Sequence, residues 1–244
     1  MISAFFHAVI YDPLYNGLIF FVGVVPYHDV GLAVIALTLV VRLILYPLSR
    51  RAVETQVAMK KIAPELEEIK KKYKDNKEEQ ARHMFALYRE RGVRPFASIG
   101  LLLAQLPVLL ALYWIFALGG LPEIHPDILY SFVTPPAFVS MEFLGFLDMS
   151  GHSIVLGILA ALAQFAYTRL SMGPREQKKH EAGSSFSSDL ARSFDLQARY
   201  FLPLMFIALS FIIPNAAMLY IVTSNTFMVG QELFAGRRFG VGKL

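Results

Sequence analysis

Residues 31–48 read GLAVIALTLVVRLILYPL, and this run decides the class of the chain. A membrane-crossing helix needs roughly 17 to 25 mostly apolar residues, which this run supplies. It also contains one cation, Arg42. An arginine at the centre of a membrane helix costs about 2.5 to 3.5 kcal/mol, so it usually faces a bundle interior or a wet cavity. The alternative is snorkelling, in which the long side chain reaches the headgroups near Ser49.

The rest of the chain repeats this apolar character. Of its 244 residues 55% are hydrophobic, and the mean hydropathy is +0.49. The longest apolar run, 200–235, contains Pro214 followed by Asn215, a dipeptide that favours a turn. We therefore divide it into two short helices. The sequence predicts an all-α, polytopic membrane protein with five transmembrane helices, at 28–49, 96–118, 153–170, 200–214 and 215–233.

The charges predict the topology. Lys and Arg in short loops stay on the cytoplasmic side, and the segments 1–41 and 119–152 contain neither residue. We therefore expect the N terminus outside and the C terminus in the cytoplasm. The outer parts are 1–27, with an interfacial amphipathic helix near 13–24, and the loop 119–152. The cytoplasmic parts are 50–95, a loop at 171–199 and a short basic tail at 234–244. The net charge of +4 then belongs to a basic cytoplasmic face suited to anionic lipid or RNA.

The segment 50–95 is rich in Lys, Glu, Gln and Ala, which favour helix. Lys74, Asp75 and Asn76 are a turn signal, so we predict a cytoplasmic helical hairpin. Apolar residues spaced by three to five form a narrow seam on each arm. Pro64 weakens the first arm unless a new helix begins there.

Signatures of catalysis and of metal binding are missing from the sequence. The chain has no cysteine, and His180 with Glu181 lacks the second histidine of the zinc-protease pattern. Near the C terminus, 240–243 resembles part of a phosphate loop, but no helix follows it to supply the amide cradle. We therefore expect no enzyme activity, no cofactor and no metal.

What remains is a set of polar side chains inside the predicted membrane helices. Each one alone is explained by helix association, since Ser, Thr, Asn and Gln often join helices in lipid. With an arginine that has no intramembrane acid as a partner, a shared wet cavity is the better account, and a proton relay is disfavoured. The predicted substrate groove comprises Arg42, Thr38, Gln105, Gln164, Tyr220, Ser224, Asn225 and Gln231.

Five stretches resemble the YidC/Oxa/Alb family of membrane protein insertases, in order and in spacing. They are DPLYNGLIFF (12–21), DVGLAVIALTLVVRLILYPLS (29–49), APELEEIKKKYKDNKEEQARHMFALYRERGVRP (63–95), LLLAQLPVLLALY (101–113) and LYIVTSNTFMVGQ (219–231). The resemblance implies a hydrophilic groove that is open to the cytoplasm and to lipid. In that groove the arginine matching Arg42 would receive polar parts of a nascent membrane protein.

The resemblance also implies partners and a location. We expect nascent membrane proteins as clients, the lipid bilayer, the ribosome and the Sec translocon as partners, and no DNA. The location is the bacterial plasma (inner) membrane. A small-solute transporter or channel is the competing class, although the sequence shows no internal repeat of the kind common in transporters. A non-catalytic assembly factor of a membrane complex is the third possibility.

Overall fold

The computed structural model describes residues 5–93, 97–117, 121–172 and 197–236. They form two compact units, one within 1–43 and 107–244, the other within 44–106. Most of the predicted loop 171–199 and most of the predicted tail 234–244 lie outside the described residues. The helices in chain order are α1 Asp12–Val24, α2 Val30–Ile44, α3 Tyr46–Lys72, α4 Lys77–Glu90, α5 Ala97–Ala117, α6 Ile154–Met172, α7 Leu202–Leu209 and α8 Asn215–Phe234.

The core of the first unit is built around α1. Tyr15, Leu18, Ile19 and Val22 lie on one face of this helix and are fully buried. They belong to one apolar cluster with residues of α2, α5, α6 and α8. The helix predicted to lie at the interface therefore buries one whole face in protein. A single π turn, His7–Tyr11, extends the helix toward the N terminus.

The predicted membrane segment 28–49 is interrupted in the structure. Helix α2 ends at Ile44 and α3 begins at Tyr46, with Pro47 in the first turn of α3. Proline lacks an N–H, and its ring clashes with the carbonyl four residues earlier, so a continuous helix is disfavoured here. Helix α3 then continues for 27 residues and contains Pro64. The possible new helix at Pro64 is thus absent.

The loop between α5 and α6 contains a small strand pair that the sequence analysis did not predict. Strands β1 Glu142–Phe143 and β2 Leu147–Asp148 are antiparallel. Asn215, the first residue of α8, fixes the far end of this loop. Its backbone N–H donates to Gly151 O at 2.8 Å, and its side chain donates to Asp148 O at 2.7 Å.

The second unit contains α3, α4 and the first half of α5. Ile62, Leu66, Leu87 and Val93 form its apolar cluster. The α4 N terminus is capped by Asn76, whose Oδ1 accepts from Glu79 N–H at 3.1 Å. After α4, Gly92 has a φ of +63°, and Val93 N–H donates to Tyr88 O at 2.8 Å. This is the Schellman arrangement, which suits glycine because the backbone is left-handed there.

Helix length and apolar composition identify fewer spans than the five predicted. Among the described residues, Ile154–Ser171 qualifies alone, and Val30–Ile44 with Tyr46–Thr55 qualifies as one broken span. Gln105–Ala117 and Arg199–Leu209 are apolar but shorter. Helix α8 has 20 residues, but its many polar side chains lower its hydropathy. The structure therefore gives a mostly helical protein, and the count of five stays a prediction.

Candidate functional site

Helix α2 carries Thr38 and Arg42 one turn apart on a buried face. The Thr38 hydroxyl donates to the Val34 carbonyl at 2.6 Å. Its hydrogen is therefore used within its own helix, and Thr38 presents only acceptor capacity to a neighbour. Arg42 is left as the donor on this face.

Arg42 is buried, with 2% of its surface exposed. Its Nε donates to Ser224 Oγ of α8 at 2.5 Å. Its Nη1 is buried and has no hydrogen-bond partner among the described residues. Snorkelling places the guanidinium in the polar headgroup layer, whereas here it points to a second helix inside the unit. This geometry disfavours the snorkelling alternative.

Helix α8 supplies the opposite wall. Tyr220 and Ser224 lie one turn apart, and both are buried. Tyr220 and Tyr167 of α6 both lie near enough to Arg42 to interact with its charge. Asn225 is also buried, and its Nδ2 has no hydrogen-bond partner within the described part of the chain.

The remaining predicted groove residues are spread more widely. Gln164 on α6 is half-buried and donates to Thr168 Oγ1 at 3.1 Å. Gln231 is half-buried near the end of α8. Gln105 lies in α5 within the second unit. The structure thus brings together Arg42, Tyr220 and Ser224, with Thr38 and Asn225 adjacent to them in their helices.

Two residues on the helices that form the site were absent from the predicted set. Tyr167 follows the polar face of α6 that begins at Gln164, so its spacing was the available signal. Glu232 is buried to 1% exposure in the last turn of α8. It follows Ser224 and the buried Met228 at steps of four, which places all three on one helix face.

The site contains buried N–H donors that have no acceptor among the described residues. Arg42 Nη1 and Asn225 Nδ2 are both buried N–H groups without a partner in the described residues. A buried donor that forms no hydrogen bond costs roughly 1 to 3 kcal/mol, more if it is charged. Neither α2 nor α6 contains an acidic residue, and the one acid of α8, Glu232, lies two turns beyond Ser224. The site is therefore suited to a ligand that brings an acceptor, such as a carboxylate or a peptide carbonyl.

At the opposite end of α2, hydrogen bonds close the unit. Asp29 Oδ1 accepts from Leu32 N–H at 3.0 Å, and its Oδ2 accepts from Leu144 N–H at 2.8 Å. Asn16 of α1 is tied to the same long loop, since its side chain donates to Ile128 O and accepts from Tyr130 N–H. Asp29 and Asn16 are both buried. These contacts fix the loop over the ends of α1 and α2.

Comparison with known proteins gives one consistent family. The family model described as 60Kd inner membrane protein matches residues 20–241. A protein of Clostridium tetani named membrane protein insertase YidC is 29% identical over 208 residues, which cover 85% of this chain and 82% of the relative. The protein of that name from Oceanobacillus iheyensis is 31% identical over 212 residues, covering 85% and 74%. The one from Wolinella succinogenes is 27% identical over 207 residues, but these cover only 33% of that relative.

The family match covers most of the chain, and the second relative is similar over most of both lengths. The resemblance seen in the sequence is therefore confirmed, and the chain belongs to the 60Kd inner membrane protein family, the YidC/Oxa/Alb family of membrane proteins.

Proposed function

We infer that this protein is a membrane protein insertase and chaperone, which is not an enzyme and whose clients are nascent membrane proteins. Its family and the names of its relatives support this function. The observation that carries our mechanism is the buried guanidinium of Arg42, which keeps a donor without an acceptor among the described residues. A polar or acidic group of a client supplies the acceptor.

The groove in this mechanism contains Arg42, Thr38, Gln105, Gln164, Tyr220, Ser224, Asn225 and Gln231. Ser224 occupies the Nε of Arg42 while no client is bound, and a client carboxylate engages the remaining guanidinium edge. Charge-assisted hydrogen bonds of this kind are worth about 1.5 to 3 kcal/mol each. That is close to the roughly 2.5 to 3.5 kcal/mol that an aspartate costs at the centre of a membrane helix. One such contact thus offsets most of the cost of one acidic residue in transit.

The free energy for insertion comes from the client. A client helix of about 20 apolar residues gains roughly 0.3 to 0.6 kcal/mol for each, or about 6 to 12 kcal/mol in total. This gain exceeds the roughly 2.5 to 3.5 kcal/mol that one acid costs in transit and is comparable to the cost of two or three, so no chemical fuel is required for a client with few acids. Short helices help further, because the bilayer thins locally around a short apolar segment. Helix α7, in the fourth predicted span, has eight residues.

The membrane location follows from the family, and the finer topology is part of our proposal. Five spans, at 28–49, 96–118, 153–170, 200–214 and 215–233, place the N terminus outside and the C terminus in the cytoplasm of a bacterium. The distribution of Lys and Arg supports this orientation. Segment 50–95 is then a cytoplasmic helical hairpin, and its cations suit the anionic surface of a ribosome. Contact with the ribosome or with the Sec translocon belongs to this proposal.

Reconstitution into liposomes tests the function. An insertase moves the short external segment of a client across the bilayer, so that this segment becomes protected from an outside protease, and no ion flux accompanies it. Ion conduction without client insertion contradicts the proposal and indicates a channel. Neither activity in the purified protein contradicts it as well and indicates an assembly factor.

A further inference from the structure

Three short segments are tied into one surface at the loop end of the first unit. We call residues 26–29, 138–140 and 143–147 the loop knot. Ser140 N–H donates to His28 O, and Ser140 O accepts from Val30 N–H, both at 3.0 Å. Leu144 N–H donates to the Asp29 carboxylate at 2.8 Å. The segments therefore hold their side chains in fixed relation to one another.

The loop knot exposes large apolar side chains. Tyr27 is 85% exposed, Phe146 is 75% exposed, and Phe138 and Leu144 are each 58% exposed. Single exposed apolar residues are common, but a group of them on one surface marks an interaction site. These four belong to segments that hydrogen bonds join, so they form such a group.

The backbone of the loop knot is strained where it presents these side chains. Tyr27, His28 and Leu144 are non-glycine residues with φ values of 60°, 51° and 53°. Such conformations are uncommon for residues other than Gly, Asn, Asp and His, so Tyr27 and Leu144 are the unusual ones. Leu144 and Gly145, with φ +78°, are the central residues of the turn between β1 and β2, where Asn or Gly is the usual choice at the first position. A leucine is unfavourable at this position of the turn, so we attribute its presence to a contact that its side chain makes outside the turn.

The position of the loop knot favours lipid over a protein partner. The Phe143 ring lies directly on the first turn of α2, because a Cβ added at Gly31 would collide with this ring. The knot is therefore level with the start of a predicted membrane helix. Val24 at the end of α1 and Val155 at the start of α6 are 67% and 61% exposed. The ends of these two helices therefore also expose apolar side chains.

The charges near the loop knot agree with an interfacial position. No Lys or Arg occurs in 119–152. Asp29 is buried and accepts two backbone hydrogen bonds. Glu142 and Asp148 lie opposite each other in the strand register, at the end of the strand pair that is farther from the turn. Both acids then stay at headgroup level while the turn enters the apolar layer.

We propose that the loop knot is a lipid-binding surface that inserts Tyr27, Phe138, Leu144 and Phe146 into the boundary of the adjacent bilayer leaflet. Aromatic residues are favoured at this depth. The inserted side chains fix the depth and tilt of α1 and α2, since the knot is bonded to the start of α2. The proposal requires only that the chain spans a membrane, and it is independent of insertase activity.

Tryptophan fluorescence tests the depth directly. The chain has one tryptophan, so Trp114→Phe gives a background into which Phe146→Trp is introduced. Exposed Glu123 of the same loop, as Glu123→Trp, is the matched control and shares any preference of tryptophan for interfaces. In vesicles of phosphatidylcholine brominated near the headgroup end of its chains, fluorescence of the Phe146→Trp variant should be quenched severalfold more than that of the Glu123→Trp variant. Iodide in the water should show the reverse order.

Leu144→Asn in the Phe146→Trp background separates anchoring from folding. Asparagine tolerates the left-handed backbone better than leucine, so the melting temperature in detergent should stay equal or rise. Quenching of the introduced tryptophan by brominated lipid should fall. Equal lipid quenching of the Phe146→Trp and Glu123→Trp variants, or no change on Leu144→Asn, overturns the proposal. If a soluble protein partner covers the surface instead, the tryptophan of the Phe146→Trp variant is accessible to iodide in vesicles of pure lipid, which overturns it too.

Discussion

The carboxylate of Asp29 is predicted to act through two separate hydrogen bonds whose losses can be measured one at a time. Asp29→Asn keeps an oxygen that accepts from Leu32 N–H. The NH₂ group then faces Leu144 N–H, and two donors form no hydrogen bond. Asp29→Ala removes both acceptors. Both substitutions therefore remove the hydrogen bond at the β1–β2 turn, but only Asp29→Ala removes the hydrogen bond at the start of α2.

The magnitudes follow from the geometry. The bond to Leu32 N–H, at 3.0 Å, is a helix N-cap worth roughly 0.5 to 2 kcal/mol. The bond to Leu144 N–H, at 2.8 Å, is charge-assisted and buried, and is worth about 1.5 to 3 kcal/mol. Since about 1.4 kcal/mol corresponds to a factor of ten, Asp29→Asn should speed exchange of the Leu144 amide by about 10-fold to 100-fold. Exchange of the Leu32 amide should change only under Asp29→Ala, by about 2-fold to 30-fold.

Hydrogen exchange with residue resolution, in detergent or nanodiscs, is the assay. Asp127→Asn is the control, because Asp127 is an exposed acid of the same long loop, and it should change neither amide. An unchanged exchange rate of the Leu144 amide in Asp29→Asn would rule out the assigned role of this hydrogen bond. Equal acceleration of both amides in Asp29→Asn would rule it out as well, because that indicates a general loosening of the fold.

Three further predictions concern the site, the second unit and the topology. Ser224→Ala should reduce insertion of acidic clients, whereas Thr226→Ala should not, because exposed Thr226 donates to Val222 O of its own helix; equal activities of these two variants count against the Ser224 contact. Leu87→Ala, at a buried position of the second unit, should lower the free energy of unfolding by about 2 to 5 kcal/mol and speed amide exchange in α4. Arg91→Gln, which removes an exposed ion pair with Glu65, should leave amide exchange nearly unchanged. Similar exchange rates in both variants would refute this ranking. In this cysteine-free chain, Ser140→Cys should react with an impermeant reagent from outside and Asn76→Cys only from inside, and the reverse pattern contradicts the orientation.

The sequence was most informative where one local signal controls the structure. Pro214 and Asn215 divide the last apolar run, and α8 begins at Asn215. Asn76 caps α4 where the turn was expected. The family could also be identified, because its motifs occur in order along the chain.

Other features depend on contacts between distant residues, which periodicity does not reveal. The bond from Arg42 to Ser224 joins positions 182 residues apart, and the sequence indicated only that each lies on a polar face. The break before Pro47 was missed because the apolar run continues through it. The β1–β2 pair depends on Asp29 and on the close approach at Gly31, so its own residues gave little local signal.

Arg42 is expected to serve clients by its charge. The direct measurement is insertion of a client series that differs only in the number of external Asp or Glu residues, at equal amounts of insertase in liposomes. Wild type and Arg42→Lys should insert acidic clients, whereas Arg42→Ala should lose about 10-fold to 100-fold in their insertion, the equivalent of one charge-assisted contact. Clients without acidic residues should be inserted by all three. Equal insertion by wild type and Arg42→Ala across the whole series would contradict the account.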